Sequence, residues 1–305
     1  MNDKFGGLKM QKFKIVTDSC VDLTAEMAKA LDLVVLPLSV TIEGKSYRNY
    51  LDEREIKFKD FYQMLRDKKT ATTSQVNPEN YITAIEPFLE EGYDILLVTF
   101  SSALSGTYQA SLIAKSELLE KYPHGKILII DSLCASMGQG LLLKYLADMK
   151  QQNASLEELV LWAEKNKQRM CHLFTVGDLN HLRRGGRLSY AKAFLGTLLK
   201  IKPLLHVDMG GRLVQTGAVR GRRQALNKMV ERMVQTIENP EEQEIFISHG
   251  DCLDDVIYVI DRIHEFMKVK NIVFNYVGPV IGSHSGIDTL AIFYLGNDRF
   301  TPYNK

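Results

Sequence analysis

Two segments constrain the fold of this 305-residue chain more than any others. Asp94-Ile95-Leu96-Leu97-Val98-Thr99-Phe100 and Lys126-Ile127-Leu128-Ile129-Ile130-Asp131 are apolar without alternation. A strand with one wet face alternates polar and apolar residues. A strand that does not is covered on both faces, as in a parallel sheet between helix layers. Helical spacing follows each run, at 105–122 and 138–151. Residues 13–17 form a third strand-like run, ending in the N-cap pair Asp18-Ser19, and 34–40 a fourth. Residues 24–31 and 56–66 have helical spacing, and Asn77-Pro78-Glu79 opens a helix with proline in its first turn. Strands alternating with helices predict an α/β fold with a largely parallel sheet.

The second half reads differently. A strand at 173–176 precedes a short helix at 179–184, stopped by Gly185-Gly186. Residues 190–200 are helical, with Phe194, Leu195, Leu198 and Leu199 on one side; they either pack as core or wall an apolar tunnel, Gly196 leaving room. Strand-like runs at 203–208 and 212–219 meet at Met209-Gly210-Gly211, a hairpin signal. A helix at 224–237 follows, then strands at 244–248, 272–277 and 289–295 around a helix at 254–267. The expectation is two α/β domains, the first with a largely parallel sheet and the second with a mixed or antiparallel one. Residues 1–12 are a loose leader, 13–166 the N-terminal domain and 167–305 the C-terminal domain.

Composition narrows the function classes. The chain is 45% hydrophobic and 25% charged with a net charge of +1, so no global field draws it to nucleic acid or to a membrane. Cys20, Cys134, Cys171 and Cys252 lie far apart without a Cys-x-x-Cys pair; they read as reduced core thiols of a cytoplasmic protein, not a metal site. No apolar run is long enough to cross a bilayer, and the first eleven residues lack a signal-peptide core.

Three small, hydroxyl- and glycine-rich turns stand at strand ends: Thr72-Thr73-Ser74-Gln75, Phe100 through Ser101, Ser102 and Ser105 to Thr107, and Gly278 to Gly286 around His284. They offer hydroxyls, backbone N–H groups and an imidazole without bulk, an inventory for a small anion or carboxyl head group. Helix capping alone accounts for a serine at a helix start. Two clusters from separate segments exceed what capping needs. In an open α/β sheet ligands bind beyond the carboxyl ends of strands, where the 101–107 turn and Asp131-Ser132 both fall. Gly282-Ser283-His284-Ser285-Gly286 superficially matches the hydrolase elbow Gly-x-Ser-x-Gly, but its centre is a histidine. A serine-type acyl hydrolase using Ser102 or Ser105 with His284 is the competing reading. Gly138-x-Gly140 lacks the third glycine of a dinucleotide fingerprint, and no P-loop exists.

Residues 183–228 carry eleven Lys or Arg and one acid, Asp208. This face suits an acidic protein or a phosphorylated ligand, or is simply solvated. Few aromatics interleave with it, which weakens a nucleic-acid reading.

Taken together, the chain resembles the DegV family of bacterial fatty-acid-binding proteins. The residues that carry the resemblance are Val16-Thr17-Asp18-Ser19, Thr72-Thr73-Ser74-Gln75, Phe100 to Tyr108, Asp131-Ser132, Asp178-Leu179, Leu182, Arg184-Gly185-Gly186-Arg187-Leu188-Ser189, Lys202-Pro203 and Gly278 to Gly286. The resemblance implies two α/β domains with a long-chain fatty acid such as palmitate buried between them. It implies Thr72, Ser102 and His284 as carboxyl-binding residues, with Thr73, Ser74 and Ser101 as neighbours that share the task. It implies a carrier without a cofactor or metal, presenting the carboxyl to a separate fatty acid kinase for acyl-phosphate formation. Arg184, Arg187, Arg220 and Arg223 would meet that kinase, and a transient membrane contact is compatible with the role. Val76 stands where the family often has proline, and Ile287-Asp288 replaces a common Pro-Gly beside His284.

Overall fold

The computed structural model of the chain describes residues 12–188, 200–297 and 299. Most of the expected leader and the 190–200 helix, with its tunnel-wall residues, lie outside the described residues.

The strands are β1 (Phe13–Asp18), β2 (Leu33–Leu36), β3 (Ser39–Ile42), β4 (Lys45–Arg48), β5 (Ala71–Ser74), β6 (Asp94–Thr99), β7 (Ile127–Asp131), β8 (Met170–Thr175), β9 (Ile201–Val207), β10 (Leu213–Arg220), β11 (Glu244–His249), β12 (Asn271–Tyr276) and β13 (Leu290–Leu295). The helices are α1 (Ala25–Ala30), α2 (Phe58–Arg66), α3 (Pro78–Glu90), α4 (Thr107–Lys121), α5 (Met137–Gln151), α6 (Leu156–Asn166), α7 (Asn180–Arg184), α8 (Arg222–Thr236), α9 (Leu253–Phe266) and α10 (Pro279–Ser285). The first sheet has the order β2-β1-β6-β7 and is parallel throughout. A second has the order β10-β9-β8-β13-β11-β12 and is mixed, since β11 and β12 alone run parallel. A small antiparallel sheet, β4-β3-β5, stands apart.

Side-chain alternation assigns the layers. Val16, Ile95, Leu97 and Ile127 face α3 and α4. Ile15, Leu96, Val98 and Ile130 face α5. Both faces of the parallel sheet are therefore covered, which is why its strands read as unbroken apolar runs. Phe174, Leu205, Phe246, Ala291 and Phe293 of the mixed sheet face the same α5 layer. Leu173, Ile245, Ile247, Leu290 and Ile292 face α8 and α9. So α5 is a shared middle layer, and one continuous core joins the strands of the first half to those of the second.

Two expectations needed correction. The 34–40 run is two strands in two sheets. Pro37, with no N–H to give, separates β2 from β3. The Thr72-Thr73-Ser74 segment is not a turn but β5, paired antiparallel with β3 in the register Thr41 to Thr72 and Val40 to Thr73.

Candidate functional site

A cavity of about 950 Å3, counting its open mouth, occupies the middle layer beyond the N-terminal end of α5. Phe174, Ala291 and Phe293 of the mixed sheet line it on one side, Phe100 and Ala135 from the carboxyl edge of the parallel sheet on the other. Val280, Ile281 and Leu104 add further apolar wall. Polar groups collect where β5, α10 and the 101–107 turn approach one another.

His284 is the centre of that corner. The glycine-rich segment that carries it is a short helix, α10, and not a loop; it stops at Gly286, whose φ is +80°. Nε2 of His284 lies 2.8 Å from Thr73 Oγ1, a hydrogen bond whose direction depends on the tautomer. Burial, with the Arg187 guanidinium as a second cause, pushes the imidazole down to about 4, so it is neutral at neutral pH. On its other side the ring lies against Gly185: a Cβ there would stand 2.3 Å from Nδ1. Gly185, which in the sequence read only as a helix stop, is what lets the imidazole seat.

Thr73, Ser74 and His284 line the cavity. Thr72 does not: strand alternation turns it to the face of β5 opposite Thr73, where it is exposed; Ser74, on that same face and also exposed, meets the cavity at the end of the strand. Ser101 does not line it either. Its Oγ donates to Gly211 O at 2.9 Å and accepts from Ala103 N, tying the β9–β10 hairpin to the turn. Ser102 stands half-buried outside the cavity wall, its backbone N–H given to Asp131 Oδ1. Ser105 lines the cavity, yet its hydroxyl lies 2.9 Å from that of Thr107. No serine–histidine pair of the hydrolase kind is thus assembled among the described residues; the hydroxyl on His284 is a threonine's.

Among the candidate docking arginines, Arg187 belongs to the cavity, with Nε on Leu104 O at 3.1 Å and Nη1 on Gly185 O at 2.6 Å. That guanidinium sets a positive charge beside the hydroxyls and imidazole of this corner. Arg184 is exposed beside His181. Arg220 ends β10 in solvent, and Arg223 stacks over Tyr258 at 3.9 Å. Among the described residues, no cluster of His, Cys, Asp and Glu could hold a metal ion, and no helix is long and apolar enough to cross a membrane.

Sequence reasoning missed the scaffold beneath the corner. The parallel sheet switches direction between β1 and β6, the position where such sheets open a crevice. Asp18, at the end of β1, spans it: Oδ2 accepts from Phe100 N at 2.7 Å and Oδ1 from Cys20 N at 3.0 Å. Burial raises its carboxyl to about 6 against those bonds. Gly106 leaves room for Gln75, whose Oε1 would be 2.1 Å from a Cβ there. The Asp18-Ser19 pair was visible as a cap; its grip on the turn 82 residues away was not.

Residues 12–297 match the model of a family described as "Uncharacterised protein, DegV family". The chain belongs to the DegV family. A DegV domain-containing protein of Clostridium perfringens is 46% identical over 290 residues, covering 95% of this chain and 99% of the relative. A DegV family protein of Thermus thermophilus, described as fatty acid binding, superposes with a TM-score of 0.83 at 29% identity, covering 93% of this chain and 99% of that one. Bacillus subtilis DegV, described as a fatty acid binding protein, gives 0.79 at 28% identity, over 93% and 98%. Both of those DegV structures are of fatty acid binders. The Ile287-Asp288 departure from the family pattern leaves the corner closed, since Thr73 and His284 stay in hydrogen-bond contact.

Proposed function

We propose that this protein is a carrier that holds a long-chain fatty acid in the middle-layer cavity, its carboxyl at Thr73, His284 and Arg187. The observation that carries this is a mostly apolar cavity with a polar corner built around a neutral imidazole at the β5–α10 side, Ser136, His172 and Ser248 being further polar groups in its wall. The DegV relatives described as fatty acid binding support it. Tail burial contributes roughly 0.8 kcal/mol per CH2, so the hydrocarbon dominates affinity. The corner then fixes orientation. With the proton on Nε2, His284 donates to Thr73 Oγ1 and leaves the threonine hydrogen free for a carboxylate oxygen. The Arg187 charge offsets the cost of bringing an anion out of water.

The same reading makes the protein a non-catalytic, cytoplasmic subunit that offers the carboxyl to a separate kinase, with Arg184, Arg220 and Arg223 as docking charges. Denaturing extraction of the purified protein followed by mass spectrometry tests the binding step. A stoichiometric long-chain acid is expected. An empty extract, with no uptake of added palmitate, would refute the carrier reading.

A further inference from the structure

The helix that carries His284 is held by residues from the far end of the chain. Asp22 follows β1 in a left-handed conformation, φ +50°, and its carboxylate is buried. Oδ1 accepts from Gly278 N, the residue that opens α10, at 3.0 Å. Oδ2 accepts from Ser136 Oγ at 2.5 Å, at the start of α5. The backbone carbonyl of Asp22 accepts from Asn275 Nδ2 at 2.9 Å, at the end of β12. The fit at Gly278 is close: a Cβ there would stand 2.7 Å from Asp22 Oδ1. A second clamp comes from α2. Tyr62 donates its hydroxyl to Val277 O at 2.7 Å, and a Cβ on Gly282 would meet Phe61 Cε1 at 2.8 Å. So the start of α10 is tied at Val277 and Gly278, its middle is braced at Gly282, and His284 rides on the next residues. Ser136 has φ +54° and ψ −145°, a region almost reserved for glycine, and gives its hydroxyl to Asp22 where it would otherwise cap α5.

We infer that Asp22, acting through Gly278 and α10, is the positioning residue that sets where His284 meets the ligand's head group, with Tyr62 as its second fastening. The inference rests on the carrier reading and deepens it. It assigns to Asp22 a role that head-group contact does not explain. Asp22 does not line the cavity and touches no ligand in this scheme. Of its partners, Gly278 opens the helix that carries His284, while Ser136 lies in the cavity wall beside Ser248, so the cycle with His284→Ala separates the α10 route from the Ser136 route.

A double-mutant cycle on the full chain tests this. Palmitate and methyl palmitate affinities are measured for wild type, Asp22→Ala, His284→Ala and the pair, with the 13C signal of [1-13C]palmitate as a second readout. Asp22→Ala is expected to weaken palmitate about tenfold and to shift the carboxyl signal, yet to cost nothing further once His284 is gone, a coupling of the size residues in one bond chain show. Methyl palmitate, which lacks the carboxylate, is expected to bind all folded variants alike. Additive losses, or equal losses for both ligands, would mean a general structural role and overturn the inference. Where Asp22→Ala does not fold, Tyr62→Phe in the same cycle decides it by the same criteria. If wild type binds neither lipid, the carrier reading fails and takes this inference with it; if wild type binds palmitate and the cycle is additive, this inference alone fails.

Discussion

Nδ1 of His284 would lie 2.3 Å from a Cβ on Gly185, so the imidazole occupies the space that any other residue at 185 would fill. The relationship is unusual in being one-sided. The glycine has φ −72°, which every residue adopts, so space and not backbone freedom demands it. Gly185→Ala is expected to swing the ring off Thr73 and weaken fatty acid affinity about tenfold, equivalent to ~1.4 kcal/mol. Melting temperature should change little. Fluorescent-fatty-acid titration beside thermal unfolding checks this; unchanged affinity would show that the ring does not serve the ligand.

Thr72 and Thr73 make a sharper pair. Only Thr73 reaches His284, at 2.8 Å, while Thr72 faces solvent. Thr73→Val keeps the shape and removes the hydroxyl, leaving a buried partner unsatisfied at a cost of about 1–3 kcal/mol in ligand binding. Thr72→Val should stay within roughly 0.5 kcal/mol of wild type. Isothermal titration with palmitate distinguishes the two, and equal effects at both positions would contradict the β5 register.

Ser101 should behave as a scaffold residue. Its hydroxyl holds Gly211 O at 2.9 Å, and a Cβ on Gly211 would come within 2.2 Å of that oxygen. Ser101→Ala is expected to cost about 1 kcal/mol of stability with affinity for palmitate preserved. Urea unfolding and ligand titration on the same samples check this. A loss of affinity at unchanged stability would return Ser101 to the head-group site.

Acid should destabilise the protein, for a reason that can be worked out group by group. Asp18 and Asp22 are raised by burial from 3.8 to about 6 and about 7, so the folded state holds their protons more tightly and stability falls as pH rises through that window. His249 and His284 are lowered from 6.5 to about 4, and burial also lowers His172, His181 and His206. For these the unfolded state binds more protons, so stability falls as pH drops below the unfolded value. Below about pH 6.5 five lowered histidines act against three raised carboxyls, Asp94 being raised by burial as well, and above that Asp22 acts in the opposite sense. A stability maximum near neutrality, with a steep acid limb, is expected. Unfolding midpoints at stepped pH would show it, and a protein that grows more stable on going from pH 6.5 to 4.5 would contradict these assignments.

Much of the frame was legible in the chain. β6 and β7 announce themselves because strands buried on both faces are apolar at every position, and the Gly210-Gly211 connection does mark the β9–β10 hairpin. The site was legible as a set of segments but not as a set of contacts. Which of two adjacent threonines meets the imidazole depends on a one-residue register against β3, and a register slip of one exchanges the faces. α10 was obscured because glycine-rich composition argues for a turn. Its helix is held from outside by Asp22 and Tyr62, and no local pattern records such bonds.

The amino-acid sequence by itself determined the layered α/β frame, because hydrophobic periodicity is local and each element carries its own record of which faces must be covered. Tertiary packing alone decided the head-group corner. Thr73 and His284 are 211 residues apart, and their meeting depends on a shared middle layer, on a glycine that leaves room for a ring, and on a buried carboxylate at the other end of the chain. Contacts of that kind are set by the shapes of surfaces brought together on folding, and no segment of the chain holds that shape alone.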